Sequence, residues 1–256
     1  MVEEAEHRGG SPVLELKGLS KSFGGLDAVQ DVNLKVFAGD RRALIGPNGA
    51  GKTTLFNVVT GVFPATSGRV LLFGEDITGW PAHRRTALGM ARTFQITSLF
   101  PKLTVLDNVL LAIGGLRKMK FVMWRLLSSY RDLYEKAHHL LEGVGYSDRK
   151  DVEVRNLSHG EQRQVEIVVG LASDPKILLL DEPAAGLASG ESREMAEFLK
   201  RLDPSLAILL IEHDMDVVFD VVDDISVLHF GKVVEEGSTE HIRQSQRVRE
   251  IYLGTS

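Results

Sequence analysis

Alternating apolar and polar positions mark the first part of the chain. Between residues 13 and 37 the two kinds of residue largely alternate, and Gly24 and Gly25 interrupt the pattern. A period of two predicts antiparallel strands with one buried face, and the glycine pair predicts a hairpin turn. Residues 41–45 and 68–74 are short apolar runs that predict two further strands.

The second half of the chain has a different pattern. Apolar runs at residues 177–180, 207–211 and 225–228 predict strands that are buried on both faces, as in a parallel sheet. Helices are predicted between these runs, near 190–201 and 214–222. Alternation of strands and helices predicts an α/β fold, with helices on the faces of a mostly parallel sheet.

The segment between these regions has helical spacing. Residues 81–145 are predicted to be mostly helical, apart from an apparent strand that ends at 91–95. The clearest apolar stripe lies at residues 121–141, and we interpret it as a packing surface. Residues 1–11 are polar and predict a loose tail.

A glycine-rich segment connects the strand at 41–45 to a helix predicted at 52–59. It comprises Gly46, Pro47, Asn48, Gly49, Ala50, Gly51, Lys52, Thr53 and Thr54. Glycines let the backbone curl so that its N–H groups surround phosphate oxygens, and the helix N-terminus adds its dipole. The setting predicts a phosphate-binding loop, in which the lysine reaches the β and γ phosphates and the Thr53 hydroxyl ligates Mg²⁺.

Two carboxylates follow the buried strand at 177–180. Asp181 and Glu182 lie at its C-terminal end, the edge where open α/β sheets place ligands. Asp181 is suited to hold Mg²⁺, and Glu182 is suited to polarise the water that attacks the γ-phosphate. His213 follows the strand at 207–211, and we expect its imidazole to hydrogen-bond the γ-phosphate at the same edge.

Two further signals are less specific. Gln95 ends the apparent strand, and a glutamine can ligate Mg²⁺ or hold the attacking water. Ser158 and Glu161 have the spacing of a capping box, which indicates the start of a helix. The alternative is that this helix end, with Gly160, contacts the phosphates of a nucleotide bound to a partner chain.

The amino-acid composition limits the classes of function that the chain can have. The 256 residues are 43% hydrophobic, with a net charge of −5, which suits one large domain or one domain with a subdomain. A negative balance gives no electrostatic reason to expect a nucleic-acid partner. The sequence contains no cysteine, which excludes disulfides and thiolate metal sites and suits a reducing compartment. The N-terminus does not resemble a signal peptide, and no run approaches the roughly 18 apolar residues that span a bilayer.

Taken in order, these motifs resemble those of the ATP-hydrolysing subunit of ABC transporters, over nearly the whole chain. Residues 157–162 resemble the signature motif that defines the family, and residues 46–54 and 177–183 resemble its Walker A and Walker B motifs. By the same resemblance, Gln95 corresponds to the family's loop glutamine and His213 to its switch histidine. Phe23 corresponds to the aromatic residue that stacks on adenine.

Two positions depart from the family pattern. His159 stands where the family most often has glycine, although Ser158 and Gly160 are present. Ala188 stands where the family usually has an aspartate, which bears on communication between two ATP sites rather than on ATP binding.

The resemblance implies a P-loop, RecA-like core with an antiparallel β subdomain and a helical subdomain. Residues 13–95 and 164–256 would form the core, and residues 96–163 would form the helical part that carries the signature motif. ATP and Mg²⁺ are the implied cofactors, with Thr53, Gln95 and Asp181 as metal ligands.

The resemblance also implies partners. Two ATPase subunits, identical or related, would form a head-to-tail dimer in which Ser158, Gly160 and Glu161 contact the ATP of the opposite subunit. The dimer would drive two transmembrane permeases from the cytoplasmic face of the membrane and would serve a solute-binding protein indirectly. Residues 97–105 are expected to touch the permease.

A closer similarity is to the ATPase subunits of branched-chain amino-acid importers. It rests on five segments and a long helical insert, at residues 91–95, 99–105, 181–187, 211–215, 252–254 and 114–134. ATPases for uptake of urea or short amides, or for export of lipid or lipopolysaccharide, are alternatives with the same motif core. A soluble ATPase of DNA repair or translation is disfavoured, because the chain has neither long coiled coils nor a second nucleotide domain.

Overall fold

The computed structural model describes residues 10–93, 99–116 and 131–253. The strands are β1 (Leu14–Phe23), β2 (Leu26–Val36), β3 (Arg41–Ile45), β4 (Ser67–Leu72), β5 (Glu75–Asp76), β6 (Met90–Arg92), β7 (Ile177–Asp181), β8 (Ala207–Ile211), β9 (Asp224–His229) and β10 (Lys232–Ser238). The helices are α1 (Lys52–Val59), α2 (Ala82–Ala87), α3 (Val105–Leu116), α4 (Arg131–Gly143), α5 (His159–Leu171), α6 (Ser189–Lys200), α7 (Met215–Val221), α8 (Thr239–Gln244) and α9 (Gln246–Leu253).

The alternating N-terminal segment forms an antiparallel sheet in the order β2-β1-β4-β5. Phe23 pairs with Leu26, so that Gly24 and Gly25 form a two-residue turn. Both glycines have positive φ, 55° and 94°, which is the requirement of the tight hairpin turns that match strand twist. The predicted hairpin is confirmed.

The second sheet has the order β10-β9-β3-β8-β7-β6. Its five strands from β9 to β6 run parallel, and β10 is antiparallel to β9. Every residue of β7 and β8 is buried, as their continuous apolar sequence predicted. The mixed α/β architecture agrees with the predicted fold class.

The two faces of the parallel sheet build two hydrophobic cores. Successive residues of a strand point to opposite faces, so that Leu178 and Leu180 pack with helices α3 to α7. Leu179 faces the other way and packs with α1 and the antiparallel sheet. The phosphate-loop helix is therefore held between the two sheets.

The predicted helical region agrees with the structure in part. It contains α2, α3 and α4, with β6 where the apparent strand was expected. On α4 the buried positions are Leu133, Ala137 and Leu141, which confirms packing for that end of the apolar stripe. Residues 121–130 of the stripe lie outside the described residues. Helix α5 runs across the proposed subdomain boundary at residue 163.

A buried arginine closes the far end of the phosphate-loop helix. Arg85 is 2% exposed, and burial lowers its pKa from the ordinary value. Its guanidinium donates to four carbonyl oxygens, those of Val58, Val59, Trp80 and Thr78. The last two carbonyls of α1 thus gain a cationic partner, which also favours the negative end of the helix dipole.

We expect Arg85→Leu to lower the free energy of unfolding by about 3 kcal/mol, because two buried and two partly buried carbonyls would lose their donor. Chemical denaturation monitored by circular dichroism measures the change. Arg84→Leu is the matched control: its guanidinium lies over the Trp80 ring, 4.2 Å from the centroid, and its loss should cost less than about 1 kcal/mol. Equal losses for the two variants would contradict the assigned role of Arg85.

Candidate functional site

Strand register brings three motif segments to one edge of the parallel sheet. Strand β8 lies between β3 and β7, and its last residue, Ile211, is opposite both Leu44 and Asp181. The residues that follow these strands therefore emerge side by side at the C-terminal edge. This edge is the position that open α/β sheets use for ligands.

The glycines of the phosphate loop lie where other side chains would collide with backbone. A Cβ atom on Gly46 would lie 2.1 Å from the carbonyl oxygen of Leu228, and one on Gly51 would lie 2.2 Å from that of Ala28. Their φ values of 153° and 104° also favour glycine. The loop is fitted between β9 and β2.

Helix α1 starts at this loop with its N–H groups unclaimed by side chains. Among the described residues it has no side-chain cap and no acidic residue in its first turn. Helices α5, α7 and α8, in contrast, each have a side-chain cap. Since the first N–H groups of a helix have no partner within the helix, α1 fits an external anion.

The lysine of the loop is folded back onto it. Lys52 is 8% exposed, and its Nζ donates to the carbonyl oxygens of Gly46 at 2.6 Å and Pro47 at 3.1 Å. Burial lowers the Lys52 pKa, and the charges of Glu182 and Asp181 oppose that effect. An ammonium has three N–H donors, so one remains for a phosphate oxygen.

Asp181 is anchored from one side only. Its side chain is 1% exposed, and Oδ2 accepts from Arg92 Nη2 at 2.7 Å. The same guanidinium donates to Asn57 and Thr60 of the α1 region. Oδ1 is buried and has no hydrogen-bond partner among the described residues. An unsatisfied carboxylate oxygen at this edge fits a hydrated cation, whose water would be its donor.

The second carboxylate has an unusual backbone. Glu182 has a φ of 51°, a left-handed conformation that costs a non-glycine residue on the order of 1 kcal/mol. Its N–H donates to the carbonyl of Ile211 at 2.9 Å, which holds it against β8. The exposed His213 ring lies beside it, with Nδ1 4.0 Å from Glu182 Oε1. The structure thus brings together two predicted site residues.

The predicted capping box at the start of α5 is present. Ser158 Oγ accepts from the Glu161 N–H at 3.2 Å, and Glu161 Oε2 accepts from the Ser158 N–H at 2.8 Å. The N–H of Gly160 donates instead to Glu191 Oε1 at 3.2 Å, and Glu191 Oε2 accepts from the Ala188 N–H at 3.3 Å. These hydrogen bonds, with that to Gly160 the largest cause, lower the Glu191 pKa.

Of the two remaining predicted site residues, Phe23 and Gln95, the structure describes only Phe23. Phe23 is 43% exposed, and its ring meets the edge of Phe63 at 5.5 Å between centroids, with the Lys21 ammonium 4.7 Å from the ring centre. One face of a partly exposed aromatic ring can accept a base by stacking. Gln95 lies outside the described residues.

Sequence reasoning missed three charged partners in this region. Arg92, Glu191 and Glu212 each bond a motif residue or its neighbour. Two of them, Arg92 and Glu212, carry a charge at the end of an otherwise apolar strand. That contrast between charge and apolar surroundings is a signal that could have found them.

No cluster of three or more metal-binding side chains occurs in the part of the chain that the structure describes. Within the same residues, no helix is both long and apolar enough to cross a membrane.

Comparison with known proteins places these motifs in a family. The family model described as ABC transporter matches residues 29–185. The high-affinity branched-chain amino acid transport ATP-binding protein BraF of Pseudomonas aeruginosa is 39% identical over 254 residues, which cover 95% of this chain and 98% of BraF. The corresponding LivG protein of Escherichia coli K12 has the same identity and coverage.

Solved structures agree with this placement. The ADP conformation of MJ1267, an ATP-binding cassette of an ABC transporter, has a TM-score of 0.83 and 32% identity, covering 96% of this chain and 100% of that one. A nucleotide-free ATP-binding cassette from an ABC transporter has a TM-score of 0.80 and 31% identity, with 94% and 98% covered.

We expect Gly46→Ala to lower the free energy of unfolding by about 3 kcal/mol or more, because the new Cβ would overlap a fixed carbonyl. Gly49→Ala is the control, since it also has positive φ, 79°, but nothing lies within 4 Å of its Cβ position. It should cost only about 1–2 kcal/mol of backbone strain. Urea denaturation of both variants compares them, and a cost at Gly46 no larger than that at Gly49 would contradict the steric assignment.

Proposed function

This chain belongs to the ABC transporter family and is one of its ATPases, and from that premise we propose that it drives the uptake of branched-chain amino acids. The observation that carries the cargo assignment is the 39% identity, over 95% of the chain, to transport ATP-binding proteins of that name. The length of the match matters, because 95% of the chain extends well beyond the nucleotide motifs and into the helical region.

The nucleotide lies, in this proposal, on the phosphate loop at the start of α1. The free N–H groups of α1, residues 46–54 and the remaining donor of Lys52 hold the phosphates, and Phe23 stacks on the adenine. Thr53, Gln95 and Asp181 would hold Mg²⁺, which would supply positive charge to offset that of the phosphates.

Hydrolysis is assigned to the two side chains at the end of β7 and β8. Glu182 orients and polarises the attacking water, and His213 hydrogen-bonds the γ-phosphate. Support comes from their proximity, 4.0 Å between His213 Nδ1 and Glu182 Oε1, and from the strained backbone of Glu182, which is typical of functional sites.

The ATP site is completed by a second ATPase subunit, identical or related. The start of α5 carries the positive end of a helix dipole. In the dimer, Ser158, Gly160 and Glu161 would exchange their capping hydrogen bonds for contacts with the γ-phosphate of the opposite subunit. ATP then joins the two subunits, and loss of the γ-phosphate after hydrolysis removes the shared contacts and lets them separate.

Separation and closure of the two ATPases would move two transmembrane permeases between inward-facing and outward-facing states. Residues 13–95 and 164–256 form the nucleotide core of this proposal, and residues 96–163 form the helical subdomain. Within its described part, Phe100 is 56% exposed and lies in the segment 97–105 that we assign to the permease contact. The protein would thus work at the cytoplasmic face of the membrane and serve a solute-binding protein indirectly.

We expect Glu182→Gln to form an ATP-dependent dimer, because ATP binds but is not hydrolysed and the shared contacts persist. Size-exclusion chromatography with multi-angle light scattering, with ATP and with ADP, measures it. Lys52→Ala in the same background should stay monomeric, since the main γ-phosphate cation is lost.

The proposed contact made by the start of α5 is also tested in the Glu182→Gln variant. Ser158→Arg should bind ATP as a monomer yet fail to dimerise, because its bulk and charge disrupt the capped helix end. A partner ATPase supplied together with the chain covers the case of a mixed dimer. An ATP-dependent dimer that survives Ser158→Arg contradicts the proposed contact.

The cargo is tested in proteoliposomes that contain the whole transporter, with its permeases and solute-binding protein. We expect leucine, isoleucine and valine to stimulate ATP hydrolysis several-fold, and urea or acetamide to have no effect. Stimulation by urea or acetamide alone would replace the amino-acid assignment with the amide one.

A further inference from the structure

Glu212 is a buried carboxylate that the proposed mechanism does not use. It lies between Ile211, the last residue of β8, and the switch histidine, and it is 0% exposed. A buried carboxylate is costly unless it is paired and hydrogen-bonded. Among the described residues no lysine or arginine pairs with it; its ion-pair contact is with His213.

Backbone N–H groups from two segments satisfy this carboxylate. Oε2 accepts from the Ala184 N–H at 3.1 Å, and Ala184 follows Glu182 by two residues. Oε1 accepts from the N–H groups of His213 at 2.8 Å and Asp214 at 3.3 Å. One side chain therefore ties the segment after the Walker B strand to the segment that carries the switch histidine.

The imidazole of His213 makes a further contact with the same oxygen. Its Nδ1 lies 3.3 Å from Glu212 Oε1. An ionised carboxylate only accepts hydrogen bonds, so the contact is attractive when Nδ1 carries the proton. The ring is then oriented with Nδ1 toward the protein interior and Nε2 on the opposite side, in a side chain that is 60% exposed.

We propose that Glu212 is a positioning residue, which fixes the orientation of the His213 ring and keeps a proton on Nδ1. This inference rests on the proposed role of His213 at the γ-phosphate. Because a phosphate oxygen only accepts hydrogen bonds, the contact with it requires a proton on Nε2 as well, and Glu212 then balances the charge of the imidazolium. The carboxylate thus acts on the reaction through the histidine and touches no substrate itself.

A double-mutant cycle on ATP hydrolysis tests the coupling. We expect Glu212→Gln to lower kcat about ten-fold with KM changed less than about two-fold, because the amide keeps the volume but removes the charge. In the His213→Ala background, Glu212→Gln should cause no further loss beyond about two-fold. Equal fold-losses in both backgrounds would mean that Glu212 acts independently of His213 and would overturn the inference.

A control variant tests whether the loss of any hydrogen-bonded carboxylate would lower kcat. Glu236→Gln also removes a carboxylate that bonds buried groups, Ser226 and Arg42, and it contacts none of the candidate site residues. It should leave kcat within about two-fold of the wild type. A loss as large as that of Glu212→Gln would count against a specific positioning role.

A measurement on the unmutated chain keeps the test independent of variant folding. With ¹⁵N-labelled histidine, the ring signals of His213 are assigned by their absence in His213→Ala. We expect the ring nitrogen that faces Glu212, Nδ1, to carry a proton. A neutral ring with its proton on Nε2 and a bare Nδ1 would overturn the inference.

The two failures are distinguishable. If His213→Ala hydrolyses ATP as the wild type does, the proposed role of the histidine fails, and the positioning role fails with it. If His213→Ala is impaired while the cycle is additive or the proton is on Nε2, only the inference about Glu212 fails.

Discussion

The order of the parallel strands is the constraint on which the site depends. Because β8 lies between β3 and β7 in register, the loops that follow these three strands lie next to one another. Hydrogen bonds across that edge then fix their relative positions: the Glu182 N–H bonds the Ile211 carbonyl, and Glu212 bonds Ala184. The phosphate loop is fitted against the same edge through β9 and β2.

The charged side chains that are shielded from solvent in this region are all hydrogen-bonded. Arg85, Arg92, Asp181 and Glu212 are each held by polar groups from sequence-distant elements. Such contacts stabilise less than the cost of breaking one side of them. They therefore serve to fix geometry: the guanidinium of Arg92 holds Asp181 against the α1 region, and Arg85 holds the other end of that helix.

Much of the fold followed from local patterns, because period and run length report burial directly. The hairpin at Gly24 and Gly25 and the strands β7 and β8 were predicted on those grounds. Strand β10 was not, because Lys232–Ser238 is short of apolar residues and its placement depends on pairing with β9. The phosphate loop and its neighbouring carboxylates were predictable as motifs. Glu191 was not, since its partner Gly160 is 31 residues away.

The residues of the phosphate loop are needed for two different reasons, the packing of the fold and the binding of a ligand. Gly46 and Gly51 are required by neighbouring carbonyls of the fold itself, whether or not a nucleotide is present. Lys52 has two roles to fill, because its ammonium donates two hydrogen bonds to the loop itself and a third donor would serve the phosphate in the proposed function. In a relative that no longer binds ATP, we expect the glycines to persist and the lysine to be replaced by residues that satisfy only the two loop carbonyls.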